Sequence, residues 1–296
     1  MEIVQVNSIK AWLLAARPKT LAGAATPVLL GCALAYADSC FQMTPALLCF
    51  LFAFLMQIDA NFINDLYDFL KGTDREDRLG PERACAQGWI TVPAMKKGIL
   101  ITTLLAACCG LCLLIYSGWE MIPVGLACIL FAFLYTAGPY PLAYHGWGDV
   151  LVLVFFGFVP VGCTYYVMGH GWNTAVTMGS LACGLTIDTL LMVNNFRDRD
   201  QDRQSGKKTL VVRLGAKAGL ILYFLLGLVA CWCCFYFIGL GKPLAAILPQ
   251  IYLLPHILTT MKMARIHQGK ALNAILGETS RNILIFGMLL TIGLAL

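Results

Sequence analysis

Charged residues are scarce in this chain of 296 residues, since Asp, Glu, Lys and Arg together make up only 12% of it. Soluble domains contain about twice that fraction, because charged side chains cover the surface that faces water. Apolar residues make up 59% of the chain, and uncharged stretches of about 20 residues, long enough to span a bilayer as helices, separate the charged clusters. The composition excludes an ordinary soluble domain. It predicts an all-α polytopic membrane protein, because lipid offers no partner to an unpaired backbone group.

The sequence also lacks the patterns of a zinc site and of a nucleic-acid surface. Thirteen cysteines are present, but most lie in apolar stretches, as Cys108 and Cys231 do, and no CxxC pair stands near a matching set of His or Cys. Buried cysteine packs as a small hydrophobic residue, so no zinc site is expected. The net charge is +5, but the basic residues flank apolar stretches as they do in membrane proteins, so no nucleic-acid partner is expected.

Gly, Pro and polar residues divide the apolar stretches into nine predicted transmembrane helices. The predicted ranges are Ile9–Tyr36, Pro45–Leu70, Met95–Tyr116, Trp119–Thr136, Trp147–Met168, Trp172–Asn195, Ala216–Ile238, Pro243–Met261 and Ser280–Leu296. We expect these helices to form a single transmembrane domain over residues 1–296.

The basic residues are distributed unevenly between the two ends of these helices. All but one of the 21 Lys and Arg residues lie near the N-terminus or in the connections after the second, sixth and eighth helices. With nine helices, these four regions lie on one side of the membrane, and only Lys242 lies on the other. Because basic residues concentrate on the cytoplasmic side, the pattern predicts a cytoplasmic N-terminus and supports the count of nine.

Two clusters of Asn and Asp lie at the cytoplasmic ends of the second and sixth predicted helices. The first contains Asn61, Asn64, Asp65, Asp68 and Asp74, and the second contains Asn194, Asn195, Asp198 and Asp202. Spacings of three and four place most of each set on one helix face, where like charges repel by about 0.2–0.5 kcal/mol per pair. Mg²⁺ would relieve this repulsion, because it binds through a few carboxylates together with substrate phosphates. Nearby basic partners for a diphosphate are Lys71, Arg197, Arg203, Lys207 and Lys208.

An alternative interpretation is that both clusters are solvated loop charges neutralised by neighbouring Arg and Lys. Three features favour a functional site instead. Each cluster begins with Asn residues still attached to an apolar helix, both lie at the same membrane surface, and they occupy equivalent places in the chain. Polar groups within a membrane are costly and usually mark function.

Longer segments around these clusters resemble a known family. NDLYDFLKGTD with RLGPERA, and NNFRDRDQDRQSGKKTLVVRLG, closely resemble the two signature segments of the UbiA-type prenyltransferase superfamily. ARPKTLAGAATPVLLG and LYTAGPYPLAYHGWGDV resemble its branch that prenylates 1,4-dihydroxy-2-naphthoate in menaquinone biosynthesis. The first signature often ends in Asp, whereas here Gly72 takes that place and Asp74 follows. The Lys-Arg pair that often follows Tyr-Pro in the 4-hydroxybenzoate branch is absent after Pro141.

The resemblance covers essentially the whole chain and implies both a fold and a reaction. The fold is a set of nine helices around a central cavity that opens sideways to lipid. The reaction is the Mg²⁺-dependent transfer of a polyprenyl group from polyprenyl diphosphate to 1,4-dihydroxy-2-naphthoate, with loss of diphosphate and CO₂, which gives demethylmenaquinol. The location is a bacterial cytoplasmic (inner) membrane, with the active site facing the cytoplasm.

The same resemblance implies roles for individual residues. The metal ligands would be Asn64, Asp65, Asp68, Asp74, Asn195, Asp198 and Asp202, of which Asp65, Asp68, Asp198 and Asp202 are the catalytic set. The substrate-binding residues would be Arg17, Asn61, Asn64, Lys71, Tyr135, Tyr140, Tyr144, Asn194, Asn195, Arg197 and Lys207. Among these, basic groups stabilise the departing diphosphate, and the tyrosines offer aromatic faces, as Tyr67 also does, to a prenyl cation. Asp59 and Asp188 lie within helices, where we expect them to bond neighbouring helices rather than position the acceptor.

Two other functions remain open from the residues alone. One is a related enzyme that acts on another aromatic acceptor, such as 4-hydroxybenzoate. The other is a secondary transporter for an ion or an anion, with the Asp clusters as its site. Transporters usually bind their substrates near the bilayer midplane at broken helices, whereas these clusters lie at helix ends, which favours an enzyme.

Overall fold

The computed structural model describes residues 4–73 and 78–296, apart from the side chain of Lys19. In chain order the helices are α1 (Ile9–Ala16), α2 (Pro18–Ala37), α3 (Met43–Leu70), α4 (Val92–Ser117), α5 (Trp119–Thr136), α6 (Gly148–Gly169), α7 (Thr174–Gln204), α8 (Leu210–Leu214), α9 (Ala216–Leu240), α10 (Pro243–Ile266) and α11 (Leu272–Ala295). Over these described ranges, nine helices are long and apolar enough to cross a membrane. The predicted all-α membrane protein is confirmed, while the cytoplasmic N-terminus stays a prediction.

The first predicted helix, Ile9–Tyr36, is wrong as a single element, because the chain breaks at Arg17. This residue has a φ of 52°, in the left-handed region, and its N–H bonds the carbonyl of Leu14 to close α1. Pro18 begins α2, where its missing N–H is not needed, and its ring disfavours the helical conformation at the residue before it. The break places Arg17 on the wall of a cavity.

Two other helices are longer than the sequence predicted. Helix α7 continues past Asn195 to Gln204, and α11 begins at Leu272 rather than at Ser280. Hydrophobicity marks only the part of a helix that lies in the hydrocarbon core, so it misses polar turns that project beyond it. The second polar cluster therefore lies on a continuous helix.

Helices α2 and α7 are the most buried of the membrane-spanning set, and α5 is the least buried. The wall of a cavity of about 540 Å³ is formed by α2 to α7, and most of its lining is apolar. Leu111 of α4 and Leu126 of α5 line this cavity and are largely exposed. The sideways opening of the cavity to lipid stays a prediction.

Helices α6 and α7 approach each other closely because small residues lie between them. A Cβ on Gly184 would lie 3.1 Å from the Cα of Gly157 and 2.8 Å from Cδ1 of Leu153. Small residues permit such backbone approach between membrane helices. Residues Leu153–Gly162 form a π-helical stretch that contains Pro160, and this wider turn accommodates a residue that cannot donate a backbone hydrogen bond.

We predict that Gly184→Leu lowers the stability of the folded protein, because the new side chain would overlap the backbone of α6. Overpacking of this kind costs about 1–3 kcal/mol. Thermal unfolding in detergent should show a lower Tm than that of the unsubstituted protein. Gly239→Leu is the matched control, since nothing lies within 4 Å of its Cβ position. Equal Tm values for the two variants would contradict the packing.

Candidate functional site

The two polar clusters lie at the same end of the cavity. Asn64 of α3, Asn194 of α7 and Arg17 line the cavity wall there. A short helical turn over Leu142–His145, between α5 and α6, brings Tyr144 to the same place. Segments distant in the sequence therefore meet around one polar end of an otherwise apolar space.

Asp65 anchors the loop that follows the first cluster. Its two carboxylate oxygens accept the backbone N–H groups of Ala84 and Cys85, each at 2.9 Å. The guanidinium of Arg17 lies 4.0 Å from the same carboxylate. These contacts bury Asp65 and fix the loop over the end of α3, while a carboxylate with about four lone-pair sites keeps capacity for a further ligand.

Asp68 receives contacts from two side chains rather than from backbone. Nη2 of Arg83 lies 3.3 Å from its Oδ2, and the hydroxyl of Tyr144 donates to its Oδ1 at 3.4 Å. The same hydroxyl lies 3.2 Å from Oγ1 of Thr73. Asp68 is thus joined both to the loop after α3 and to the turn before α6.

In the second cluster, Asp198 is paired with the residue before it. Arg197 donates two hydrogen bonds to the Asp198 carboxylate, at 2.7 and 2.6 Å, and a third to Asn273 at 2.9 Å. Asn273 in turn donates to the carbonyl of Leu79 at 2.8 Å. Arg197 is only 2% exposed, so it connects α7, the start of α11 and the loop after the first cluster.

Lys207 lies between the two clusters. Its Nζ is 3.6 Å from Asp202 and 4.7 Å from the centre of the Tyr144 ring, and Tyr144 bonds Asp68. Burial alone would lower the pKa of Lys207, but the negative charges of Asp202 and Asp68 outweigh it and hold the pKa above its ordinary value. Its ammonium group therefore stays charged at neutral pH and screens one cluster from the other.

Lys71 approaches the same ring from the first cluster. Its Nζ lies 5.0 Å from the centre of the Tyr144 ring and donates to the carbonyl of Thr136. The Thr136 hydroxyl donates to Asn64. Sequence reasoning did not identify Thr136, Arg83 or Asn273. For Arg83, the only indication in the sequence was its place in the family segment RLGPERA.

The remaining residues predicted to bind substrate or metal lie in different parts of the structure. Asn61 donates to the Ala16 carbonyl at 3.0 Å and to Thr20 at 3.1 Å, which secures the break before α2. Tyr135 lies on the cavity wall, and Asn194 donates to the Leu190 carbonyl at 3.2 Å. The structure buries Asn195 on α7.

Two predicted residues lie away from the cavity, and one is not described. Tyr140 is 56% exposed and stacks on His145, with ring centres 3.5 Å apart. Tyr67 packs with the hydrophobic residues beside α1. Asp74 lies outside the described residues.

The oxygen donors at this end suit a hard divalent cation. In the part of the chain that the structure describes, no three His, Cys, Asp or Glu side chains are close enough to form a metal site by themselves. Mg²⁺ does not require such a set, because it keeps several waters and takes phosphate oxygens as ligands. The position of Lys207 between Asp68 and Asp202 shows that positive charge is stabilised between the clusters.

Comparison with known proteins places these observations in a family context. The model of the UbiA prenyltransferase family matches residues 24–289. The 1,4-dihydroxy-2-naphthoate octaprenyltransferase of Escherichia coli (strain K12) is 40% identical over 217 residues, which cover 71% of this chain and 70% of that protein. The protein of the same name from Mycobacterium tuberculosis is 35% identical over 242 residues, covering 76% and 81%. A UbiA homolog from Archaeoglobus fulgidus, solved bound to GPP and Mg²⁺, has the same fold, with a TM-score of 0.68, 14% identity and coverage of 95% and 99%.

We predict that Asp65→Asn loosens the loop at residues 84 and 85. The amide nitrogen of Asn cannot accept a hydrogen bond, so one backbone N–H would lose its acceptor at a cost of about 1–3 kcal/mol. Hydrogen exchange followed by mass spectrometry should show faster exchange at Ala84 and Cys85. Asp200→Asn is the control, because Asp200 contacts Gln268 rather than this loop. Unchanged exchange in Asp65→Asn would rule out the anchoring role.

Proposed function

Because the chain belongs to the UbiA prenyltransferase family, we propose that it transfers a polyprenyl group from polyprenyl diphosphate to 1,4-dihydroxy-2-naphthoate, and that CO₂ and diphosphate leave. The product would be demethylmenaquinol. The choice of acceptor follows the names of relatives that are 35–40% identical. The observation that carries the proposal is the meeting of two Asn/Asp clusters, across Lys207 and Tyr144, at the polar end of an apolar cavity.

The metal in this proposal is Mg²⁺, held by oxygen atoms from both clusters. Asp68 and Asp202 would bind it directly or through water, with Asp65, Asp198, Asn64, Asn195 and Asp74 completing the predicted set. When bound, Mg²⁺ supplies positive charge that stabilises the diphosphate as it departs. Arg197 and the backbone of Ala84 and Cys85 orient two of these carboxylates before any substrate arrives.

Basic side chains complete the diphosphate pocket. Lys207 is charged at neutral pH because neighbouring carboxylates stabilise its ammonium group, and its contacts with Asp202 can be exchanged for phosphate oxygens. Lys71 and Arg17 lie on the same polar end. Preorganised positive charge of this kind stabilises negative charge that grows in the transition state.

The proposed reaction proceeds by ionisation of the donor, attack by the acceptor ring and loss of CO₂. The allylic C–O bond breaks, the electron pair leaves with the diphosphate, and the ring carbon that bears the carboxylate attacks the allylic carbon. The C–C bond to the carboxylate breaks next, its electrons return to the ring, and CO₂ departs. Tyr135 is better placed than Tyr140 to face the cation, since Tyr135 lines the cavity and Tyr140 is exposed.

The location follows from composition and from the charge pattern. The chain is a multi-pass membrane protein. We propose a bacterial cytoplasmic membrane, because the related naphthoate prenyltransferases are bacterial, and we propose that the polar end faces the cytoplasm, because the basic residues concentrate there. A UbiA-type enzyme acting on another aromatic acceptor, such as 4-hydroxybenzoate, is the alternative that the assay below distinguishes.

We predict Mg²⁺-dependent formation of demethylmenaquinol and CO₂ when the purified protein receives octaprenyl diphosphate and 1,4-dihydroxy-2-naphthoate. EDTA should stop the reaction, and excess Mg²⁺ should restore it. Asp68→Ala and Asp198→Ala should each lower kcat by at least about a hundredfold, because each removes charge that holds the metal. Asp200→Ala is the control, since Asp200 contacts Gln268 at 3.4 Å and belongs to neither predicted ligand set.

Near-normal turnover by folded Asp68→Ala or Asp198→Ala would overturn the metal role. Product from 4-hydroxybenzoate alone would keep prenyl transfer and reject the naphthoate acceptor. Size-exclusion chromatography and Tm measurements in detergent would establish that each variant is folded.

A second prediction locates the prenyl tail in the apolar cavity. Gly125 of α5 lines the cavity, and nothing lies within 4 Å of its Cβ position. At a helical rise of 1.5 Å per residue it is about 16 Å from Thr136, a distance that roughly three extended isoprene units would span. Gly125→Phe should keep activity with geranyl diphosphate and lose at least about tenfold with octaprenyl diphosphate, because the added ring blocks the path of the longer tail.

The matched control for this prediction is Gly277→Phe on α11, since Gly277 is equally open at its Cβ position and does not line the cavity. Its ratio of octaprenyl to geranyl turnover should equal that of the unsubstituted protein. An unchanged ratio in Gly125→Phe would place the tail elsewhere.

A further inference from the structure

Two carboxyl groups within the bundle have no part in the metal site. Asp149 lies in the first turn of α6, and Asp188 lies in the middle of α7. The two helices run antiparallel and close together, because Gly148 faces Leu191 and Gly184 faces Leu153. Asp149 and Asp188 therefore lie at the same level of the seam between α6 and α7, where their carboxyl groups interact electrostatically.

Among the described residues, this pair has no counter-charge. Asp188 is only 5% exposed, and Oδ1 of each residue is buried without a hydrogen-bond partner. Over residues 4–73 and 78–296, no Lys, Arg or His forms an ion pair with either carboxyl group. Leaving a buried polar group unpaired costs several kcal/mol at most sites, and more in an apolar one.

Another buried carboxyl group shows that the chain satisfies such groups elsewhere. Asp59 of α3 is fully buried, and its two oxygens accept hydrogen bonds from Thr102 at 2.5 Å and Thr103 at 2.8 Å. Its role is the helix-to-helix bonding that we expected for both intramembrane aspartates. Asp188 differs from Asp59, so the expectation of a merely structural bond does not account for it, and an unpaired polar group in a membrane points to a ligand.

Tyr135 connects the pair to the cavity. It lies on the cavity wall, and its hydroxyl oxygen is 3.5 Å from the position that a Cβ on Gly148 would take, next to Asp149. Asp149 and Asp188 both act electrostatically on this phenol, as do Asp68 and Asp202 of the polar clusters. Arg17 lines the same cavity and lies 4.0 Å from Asp65 of α3, whereas the Tyr135 hydroxyl lies beside the start of α6.

We propose that Asp149, Asp188 and Tyr135 form a hydrogen-bonding subsite for a hydroxyl group of the aromatic acceptor. The acceptor hydroxyl donates to the oxygen of Tyr135, and the Tyr135 hydroxyl donates to the carboxyl pair, so the two aspartates are positioning residues. This inference rests on the proposed function, since it assigns the hydroxyl-bearing side of the naphthoate to that subsite.

The pair also orients the ring. A site that offers hydrogen-bond acceptors and no cation binds a hydroxyl group more readily than a carboxylate, which would have neither a donor nor a counter-charge there. The acceptor carries both kinds of group, so its own carboxylate would point away from the seam, toward the basic groups near Arg17. That orientation presents the carbon that loses CO₂ to the end of the cavity where the diphosphate binds.

The test compares steady-state kinetics of Asp149→Asn, Asp188→Asn and Tyr135→Phe with those of the unsubstituted protein. We expect KM for 1,4-dihydroxy-2-naphthoate to rise by about tenfold, since each substitution leaves a buried hydrogen-bonding group of the subsite without its partner. The KM for octaprenyl diphosphate should stay unchanged, and Asp188→Glu should recover part of the acceptor affinity. Asp59→Asn is the matched control, as a buried carboxyl group that already has partners. It should leave both KM values unchanged.

A second measurement separates recognition of the hydroxyl from a general loss of structure. 1-Hydroxy-2-naphthoate and 4-hydroxy-2-naphthoate each lack one hydroxyl group and can be tested as competitive inhibitors. One of them should lose affinity in Tyr135→Phe and Asp188→Asn as the acceptor does. The other, which lacks the hydroxyl that the subsite binds, should keep the inhibition constant it has with the unsubstituted protein.

The outcomes are distinct. Equal effects on both inhibitors, or parallel changes in the KM of donor and acceptor, would overturn the subsite. If the aspartate variants do not fold, the KM and inhibition constants of Tyr135→Phe alone test the subsite, because this substitution removes one hydroxyl group and little volume. Failure of the unsubstituted protein to prenylate the naphthoate would reject the proposed function instead, whereas normal turnover with unchanged acceptor KM in the variants would reject this inference only.

Discussion

The ammonium group of Lys207, held between Asp202 and the Asp68–Tyr144 pair, is the interaction on which the polar end of the cavity depends. Two clusters of carboxylates on different helices would repel each other across a site of low dielectric. A cation between them lowers that cost. Lys207 also explains how carboxylates from the two clusters are tolerated near each other, because its positive charge offsets theirs.

Rigid supports surround this interaction. Asp65 holds two backbone amides of the loop after α3, and Arg197 links Asp198 to Asn273 at the start of α11. Groups that are oriented before binding stabilise charge without reorganising during the reaction. Residues of the predicted site therefore also hold the loop after α3 and the start of α11 in place.

The buried carboxyl groups in the apolar part of the protein have two kinds of surroundings. Asp59 is fully satisfied by two threonines and joins α3 to α4. Asp149 and Asp188 lie together and form no ion pair with any side chain that the structure describes, beside a tyrosine that lines the cavity. Spacing and hydrophobicity cannot distinguish these cases, since each is one Asp within an apolar helix. The difference arises from the neighbouring helix, which supplies hydroxyl donors in one case and a second carboxyl group in the other.

The sequence alone determined the features that depend on local composition. Length and hydrophobicity require helices that cross a membrane, and the spacing of Asn and Asp places each cluster on one helix face. The family signatures identified the reaction class, because their order and residue types occur together in this chain. The break at Arg17, the full length of α7 and the partners of Asp65 and Asp198 were decided only by the tertiary structure. Backbone amides, a positive φ and contacts between residues as distant as Arg197 and Asn273 leave no local pattern, because they depend on which helices pack together.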